Sequence, residues 1–287
     1  MMKATALLAF FALLAVALLA CRGDSAPAVG NISTPTASGT SDPAASGAGL
    51  YIALGDSLSA GIGASSPDTT FVELVHQSLG PGIELMNLGH GGDTSDDLIQ
   101  GGNLDRAVAT IESNNSDGNE TNDVQLVTLE IGGNDLLGIY FSLVLTGICP
   151  DAQSALAKTQ CAQALRNALD GFRPNFATAL DRLQAADADV PIVVMTLYNP
   201  FDYLGPAGEL GVLSLDGEAG TDFPEGLNDI IRSIAADHQG VIVADVYSAF
   251  AGKAAGLISS DLIHPNDAGY RTMADAVIAA LGSVSAS

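Results

Sequence analysis

The chain has no tryptophan, three cysteines among 287 residues, and only 10 Lys and Arg against 33 Asp and Glu. Each shortage excludes something. Without Trp there is no indole platform on which sugars or bases could stack. With a formal net charge of -23 the surface repels phosphate backbones, which argues against nucleic-acid binding. The same charge argues against electrostatic docking on anionic lipid headgroups. Charged residues are only 15% of the chain, however, and hydrophobic residues are 47%. That is too apolar for a disordered polyelectrolyte, and the length is ample for a large core. No G-x-S-x-G occurs, so the nucleophile elbow of the α/β-hydrolases is not indicated.

The N-terminus reads as an address. Lys3 precedes an apolar run from Ala4 to Ala20, and Cys21 comes directly after it. A positive start, a short apolar stretch and a small residue at its end describe a secretory signal over residues 1–21. Leu18-Leu19-Ala20-Cys21 resembles a bacterial lipobox, in which the Cys is lipidated after cleavage. An ordinary signal peptide, or an uncleaved anchor that ends at a Cys, is the alternative. Residues 22–48 turn to Ser, Thr, Pro, Gly and Ala without apolar periodicity, the composition of a flexible tether. Such a tether holds a folded domain about 30 Å from a membrane. The expectation is an exported protein, lipid-anchored at the cell envelope or else secreted. Cys149 and Cys161 then remain as an even pair. In an oxidising compartment they are expected to close a short disulfide loop. Two buried free thiols are the alternative, and a zinc site lacks further Cys or nearby His.

From residue 49 to residue 287 short apolar runs alternate with amphipathic stretches. Strands are expected at Tyr51–Leu54, Ile83–Leu88, Val124–Ile131, Ile192–Leu197 and Val241–Val246. Helices are expected at Phe71–Leu79, Leu98–Ile111, Ala152–Leu183 with a break near Pro174, Pro224–Asp237 and Asn266–Leu281. The alternation implies one α/β domain with a parallel sheet covered on both faces. Leu136–Leu145 is apolar and reads as pocket lining, a flap or a buried helix; Phe201–Phe223 is Gly- and Asp-rich and could form a second rim. Asp117, Asn119, Thr121 and Asp123 alternate within a polar loop. The bidentate Glu and the placed Gly of a calcium loop are missing, so a solvated loop is expected.

Four polar patches fall where a parallel sheet places its chemistry, just past the carboxyl ends of strands. Gly55-Asp56-Ser57-Leu58 puts a Ser on a strand-to-helix turn. Asn87 to Ser95 contains Gly89-His90-Gly91-Gly92-Asp93, where backbone amides can approach a ligand. Gly132-Gly133-Asn134-Asp135 offers a side-chain amide. Asp261-Leu262-Ile263-His264 lets a carboxylate orient an imidazole three residues on. Singly, each can be a turn plus a helix cap.

In this order the four patches resemble the GDSL, or SGNH, family of serine hydrolases, over about Tyr51 to Ala280. The resemblance implies a three-layer α/β/α, flavodoxin-like fold around a central five-stranded parallel sheet. It implies Ser57 as nucleophile, His264 as general base and then acid, and Asp261 as its orienting carboxylate. It implies an oxyanion hole from the backbone N–H of Ser57 and of Gly92 and the side chain of Asn134. The chemistry suits these residue types: a Ser hydroxyl needs a base, and His supplies one near neutrality. No metal or cofactor is expected, and a monomer is. His76, His90 and His238 show no metal spacing. Three functions are compatible with this: a lipase or lysophospholipase acting on small ester or lipid substrates, an O-acetyl esterase of polysaccharide, and an inactive binding lipoprotein. The apolar Leu136–Leu145 stretch favours the first.

Overall fold

A computed structural model describes residues 48–284; the signal-like segment, Cys21 and nearly all of the expected tether lie outside the described residues. Five parallel strands form one sheet in the order β2-β1-β3-β4-β5. They are β1 (Gly49–Gly55), β2 (Ile83–Asn87), β3 (Val124–Glu130), β4 (Ile192–Met195) and β5 (Val241–Ala244). Every residue of β1 is buried, as expected of a central strand covered on both sides.

The period-two alternation of β1 assigns its side chains to two cores. Leu50, Ile52 and Leu54 enter one apolar cluster; Tyr51 and Ala53 enter the other. The first is covered by α3 (Asn103–Asn114), α6 (Thr159–Ala186) and α8 (Leu227–Asp237), through Leu104, Ile111, Phe172, Phe176, Leu183 and Ile231. The second is covered by α1 (Phe71–Leu79) and α9 (Asp267–Val284), through Phe71, Val75, Tyr270, Met273 and Val277. The result is the expected three-layer α/β/α sandwich.

Three helix expectations change. Leu98–Ile111 is two helices, α2 (Ser95–Gln100) and α3, because Gly102 adopts a left-handed φ of 89° between them. The break expected near Pro174 is absent. α6 runs 28 residues through it, and the interruption falls instead at Lys158, after α5 (Ala152–Ala157). Leu165, Leu169, Phe172, Phe176, Leu180 and Leu183 form one buried stripe across Pro174, so packing outweighs the lost backbone bond. The Gly-rich stretch 201–223 contains α7 (Pro206–Asp216), whose Leu210, Leu213 and Leu215 are buried. The chain from β1 crosses to β2 on one side and then to β3 on the other. That reversal opens a crevice at the carboxyl ends of β1 and β3, where open α/β sheets bind ligands.

Candidate active site

Asp56 and Ser57 leave the carboxyl end of β1 through a turn that only Gly55 permits. Its φ is 151°, and a Cβ there would collide with the Glu130 carbonyl and the Ser59 hydroxyl. The turn is then tied down: Asp56 Oδ1 accepts from the Leu58 N–H at 3.0 Å, and the Ser59 hydroxyl donates to the Leu54 carbonyl at 3.1 Å. Ser57 is left 8% exposed, facing the crevice.

His264 arrives from 207 residues away. Its Nε2 lies 2.9 Å from Ser57 Oγ, and its Nδ1 lies 2.6 Å from Asp261 Oδ2. The local loop makes this possible. Leu262 takes a left-handed φ of 67°, which curls Asp261 and His264 toward one another. Asp261 Oδ1 accepts from the N–H groups of Ile263 and His264, both at 2.9 Å, and from the Ser259 hydroxyl at 2.8 Å. The Tyr198 hydroxyl holds the Ile263 carbonyl at 2.7 Å. Burial pushes the Asp261 carboxyl up, but its bonds from the His264 ring and the two backbone N–H groups outweigh this. The group is held well below the usual carboxylate range and is an anion.

The two Gly-rich patches interlock beside Ser57. A Cβ on Gly91 would stand 3.9 Å from Ser57 Cβ, so this backbone runs past the hydroxyl; Gly92 comes next with φ 91°. From the third patch, Asn134 Nδ2 donates to Asp56 Oδ2 at 3.1 Å and to the Asp93 carbonyl at 2.9 Å. The next residue, Asp135, accepts from the Ser95 N–H at 2.9 Å and the Ser95 hydroxyl at 2.6 Å. The structure therefore brings Ser57, His264, Asp261 and Asn134 to one place, with the Gly91 backbone beside Ser57. His90 stands largely exposed and pairs with Asp93, and His76 binds the Ile83 carbonyl. Among the described residues no group of three His, Cys, Asp or Glu could hold a metal ion.

Asp56, Ser57, Asn134 and His264 form one wall of a cleft. The opposite wall is apolar: Leu136, Leu137, Tyr140, Phe201 and Leu215. Leu136 and Leu137 come from α4 (Gly133–Ile139), and Tyr140 opens the wider helical turn Tyr140–Val144 that continues it. Tyr140 packs on Phe201 with ring centroids 5.0 Å apart and donates to the Ala207 carbonyl at 3.2 Å. A smaller apolar cavity behind Leu136 and Tyr140 is lined by Cys149 and Cys161, which are joined in a disulfide with Cα atoms 5.8 Å apart. Residues 136–161 thus supply both cleft wall and core.

Sequence reasoning left out Asp56, which anchors Asn134, and Glu130, the buried carboxyl beside it. Asp56 was visible as the residue before Ser57, and Glu130 as the one acid in the strand Val124-Gln125-Leu126-Val127-Thr128-Leu129-Glu130. Asn199, in the Tyr198-Asn199-Pro200 segment, serves the turn beneath the apolar wall. It donates to the Gly208 carbonyl at 2.9 Å and accepts from the Phe201 N–H at 3.0 Å.

Known proteins share this arrangement's frame. The sequence model of the GDSL-like Lipase/Acylhydrolase family matches residues 53–272. A spore germination lipase of Bacillus licheniformis is 22% identical over 238 residues, covering 80% of this chain and 95% of that protein. Among solved structures, a lipase from a goat rumen metagenome superposes with a TM-score of 0.58 at 20% identity, over 80% of this chain and 96% of its own. An acetyl xylan esterase from Geobacillus stearothermophilus gives 0.53 at 19% identity, over 83% and 95%. At these identities the structural likeness speaks for the fold.

Proposed function

The chain belongs to the GDSL-like Lipase/Acylhydrolase family and is a carboxylic-ester hydrolase, and from that premise we propose that Ser57, His264 and Asp261 are its catalytic triad. The observation that carries this reading is the unbroken relay from Ser57 Oγ to His264 Nε2 at 2.9 Å and from His264 Nδ1 to Asp261 Oδ2 at 2.6 Å. Neutral His264 takes the Ser57 proton as Oγ attacks the ester carbonyl. Asp261, already an anion, stabilises the imidazolium that results. The carbonyl oxygen becomes an oxyanion facing the Ser57 N–H, the Gly92 N–H and Asn134 Nδ2. Asn134 trades one of its two present acceptors for it. His264 then protonates the departing alcohol, leaving an acyl group on Ser57. A water, deprotonated by His264, releases the acid by the same steps in reverse order.

The acyl group is the part that meets the apolar wall, so the substrate class is lipase or lysophospholipase type, with a fatty acyl chain along Leu136, Leu137 and Tyr140. Tyr203 and Val212, two large apolar side chains that stand exposed, lie in the segment forming that wall and suit a lipid substrate. The protein is exported through residues 1–21 and held at the envelope by lipidated Cys21 on the tether. An O-acetyl esterase is the second reading, favoured by the likeness to an acetyl xylan esterase. Hydrolysis of p-nitrophenyl esters of rising acyl length, with Ser57→Ala as control, separates them. Rates that climb with chain length support the lipid reading, and rates confined to acetate support deacetylation. Ester hydrolysis that Ser57→Ala leaves unchanged rejects the triad.

A further inference from the structure

Glu130 ends β3 beside the nucleophile turn, and it is 1% exposed. Neither of its carboxyl oxygens has a hydrogen-bond donor at bonding distance among the described residues. The polar groups that act on it belong to Asp56, its carboxyl and its backbone N–H. Asp56 is equally buried but well served. Leu58 N–H donates to Oδ1 at 3.0 Å, Asn134 Nδ2 donates to Oδ2 at 3.1 Å, and Ser57 Oγ lies 3.4 Å from Oδ1. Two buried carboxyls in contact do not both ionise near neutrality. The one with more donors keeps the charge, and the other keeps the proton.

We propose that Glu130 is a positioning residue: it stays a neutral acid, donates its proton to the Asp56 carboxylate, and so holds the Asn134 amide beside Ser57. The role rests on the reading of Ser57 and Asn134 as reacting groups. Three donors, from Leu58, Asn134 and Glu130, then balance the single charge on Asp56. A second charge would remove the Glu130 donor and set two anions next to a developing oxyanion. The titration fits. Burial pushes Glu130 well above the usual carboxylate range, and the neighbouring Asp56 charge adds to it. Burial raises Asp56 too, with the Leu58 N–H and Glu130 pulling it back. The other titratable groups facing the pair are His264, Tyr198 and Tyr270, the two tyrosines held neutral by burial.

The test uses the purified full chain, with Glu130→Gln and Glu130→Leu. A glutamine can still donate to Asp56 but cannot ionise; a leucine can do neither. E130Q should keep at least about a third of kcat at neutral pH, while E130L loses about tenfold or more with KM little changed, as expected for displaced oxyanion donors. The proton itself is read by stability. A carboxyl whose folded pKa is raised contributes fully below its unfolded pKa of about 4.3 and loses that contribution as pH rises toward the folded value. Wild type should therefore lose stability relative to E130Q on going from acid to neutral pH. Parallel stability curves for the two proteins would overturn the neutral Glu130. Equal kcat losses in E130Q and E130L would overturn its role as donor. Should E130L fail to fold, the E130Q curves decide alone. The stability curves stand whatever Ser57→Ala does, so failure of the triad reading and failure of this one are told apart.

Discussion

The two walls of the cleft are built by opposite rules. The polar wall takes short loops from four distant places in the chain, and each loop is fixed by backbone geometry: Gly55 at φ 151°, Gly92 at 91°, Gly132 at 118°, Leu262 at 67°. Its side chains are locked by hydrogen bonds, so Asp261 alone receives four. The apolar wall comes from two continuous stretches, Leu136–Tyr140 and Phe201–Leu215. It is held by packing, by one ring contact and by a disulfide behind it. A wall of directional bonds can carry a reaction but tolerates almost no change. A wall of packed side chains carries no reaction and can change shape with the substrate. One wall therefore sets the chemistry, and the other sets what is brought to it.

Substitutions on the two walls should separate along that line. Ser57→Ala is expected to reduce kcat by at least ~10⁴-fold for every ester, whatever its chain length, while circular dichroism stays that of wild type. Asn134→Ala should cost about 10²–10³ in kcat, again evenly across chain lengths, because it removes an oxyanion donor. A strong chain-length dependence in either variant would break the division. Behind the apolar wall, replacing Cys149 and Cys161 together by Ser should lower unfolding stability by about 3 kcal/mol. Denaturant titration measures it, and acetate ester turnover should change little below the unfolding transition. Leu137→Trp should shorten the acyl preference. A long-chain ester should lose roughly tenfold in kcat/KM and an acetate ester less than about twofold, the scale of a filled hydrophobic pocket. The smallest effect concerns pH. The folded pKa of Asp261 is depressed, so its stabilisation is present above its unfolded pKa of about 3.9 and lost as pH falls through the folded value. Asp261→Asn should flatten the loss of stability between about pH 4 and pH 2, measured by urea unfolding.

The polar wall was legible in the sequence because its residues are chemically marked and sit just after strands. Ser57, Asn134 and the Asp261–His264 pair each lie in a short polar patch after an apolar run, and their order identified the family. The sheet was legible because its strands are short runs rich in apolar residues that alternate with amphipathic stretches. The apolar wall was legible only as alternatives: Leu136–Leu145 read equally as pocket lining, a flap or a buried helix, and Phe201–Phe223 as a second rim, because such residues look like any core residues until the fold sets them around Ser57. The path of α6 through Pro174 escaped because its long buried stripe is a tertiary effect. Glu130 escaped because one acid in a strand gives no hint that its neighbour in space is Asp56, 74 positions earlier by their numbering.

The central claim is that Ser57 is the nucleophile activated by His264. A fluorophosphonate that traps an activated serine, combined with peptide mapping by mass spectrometry, tests it most directly. The account predicts one adduct, on the peptide containing Ser57, lost in Ser57→Ala and strongly slowed in His264→Ala. An adduct on another residue, or equal labelling of wild type and Ser57→Ala, would contradict it.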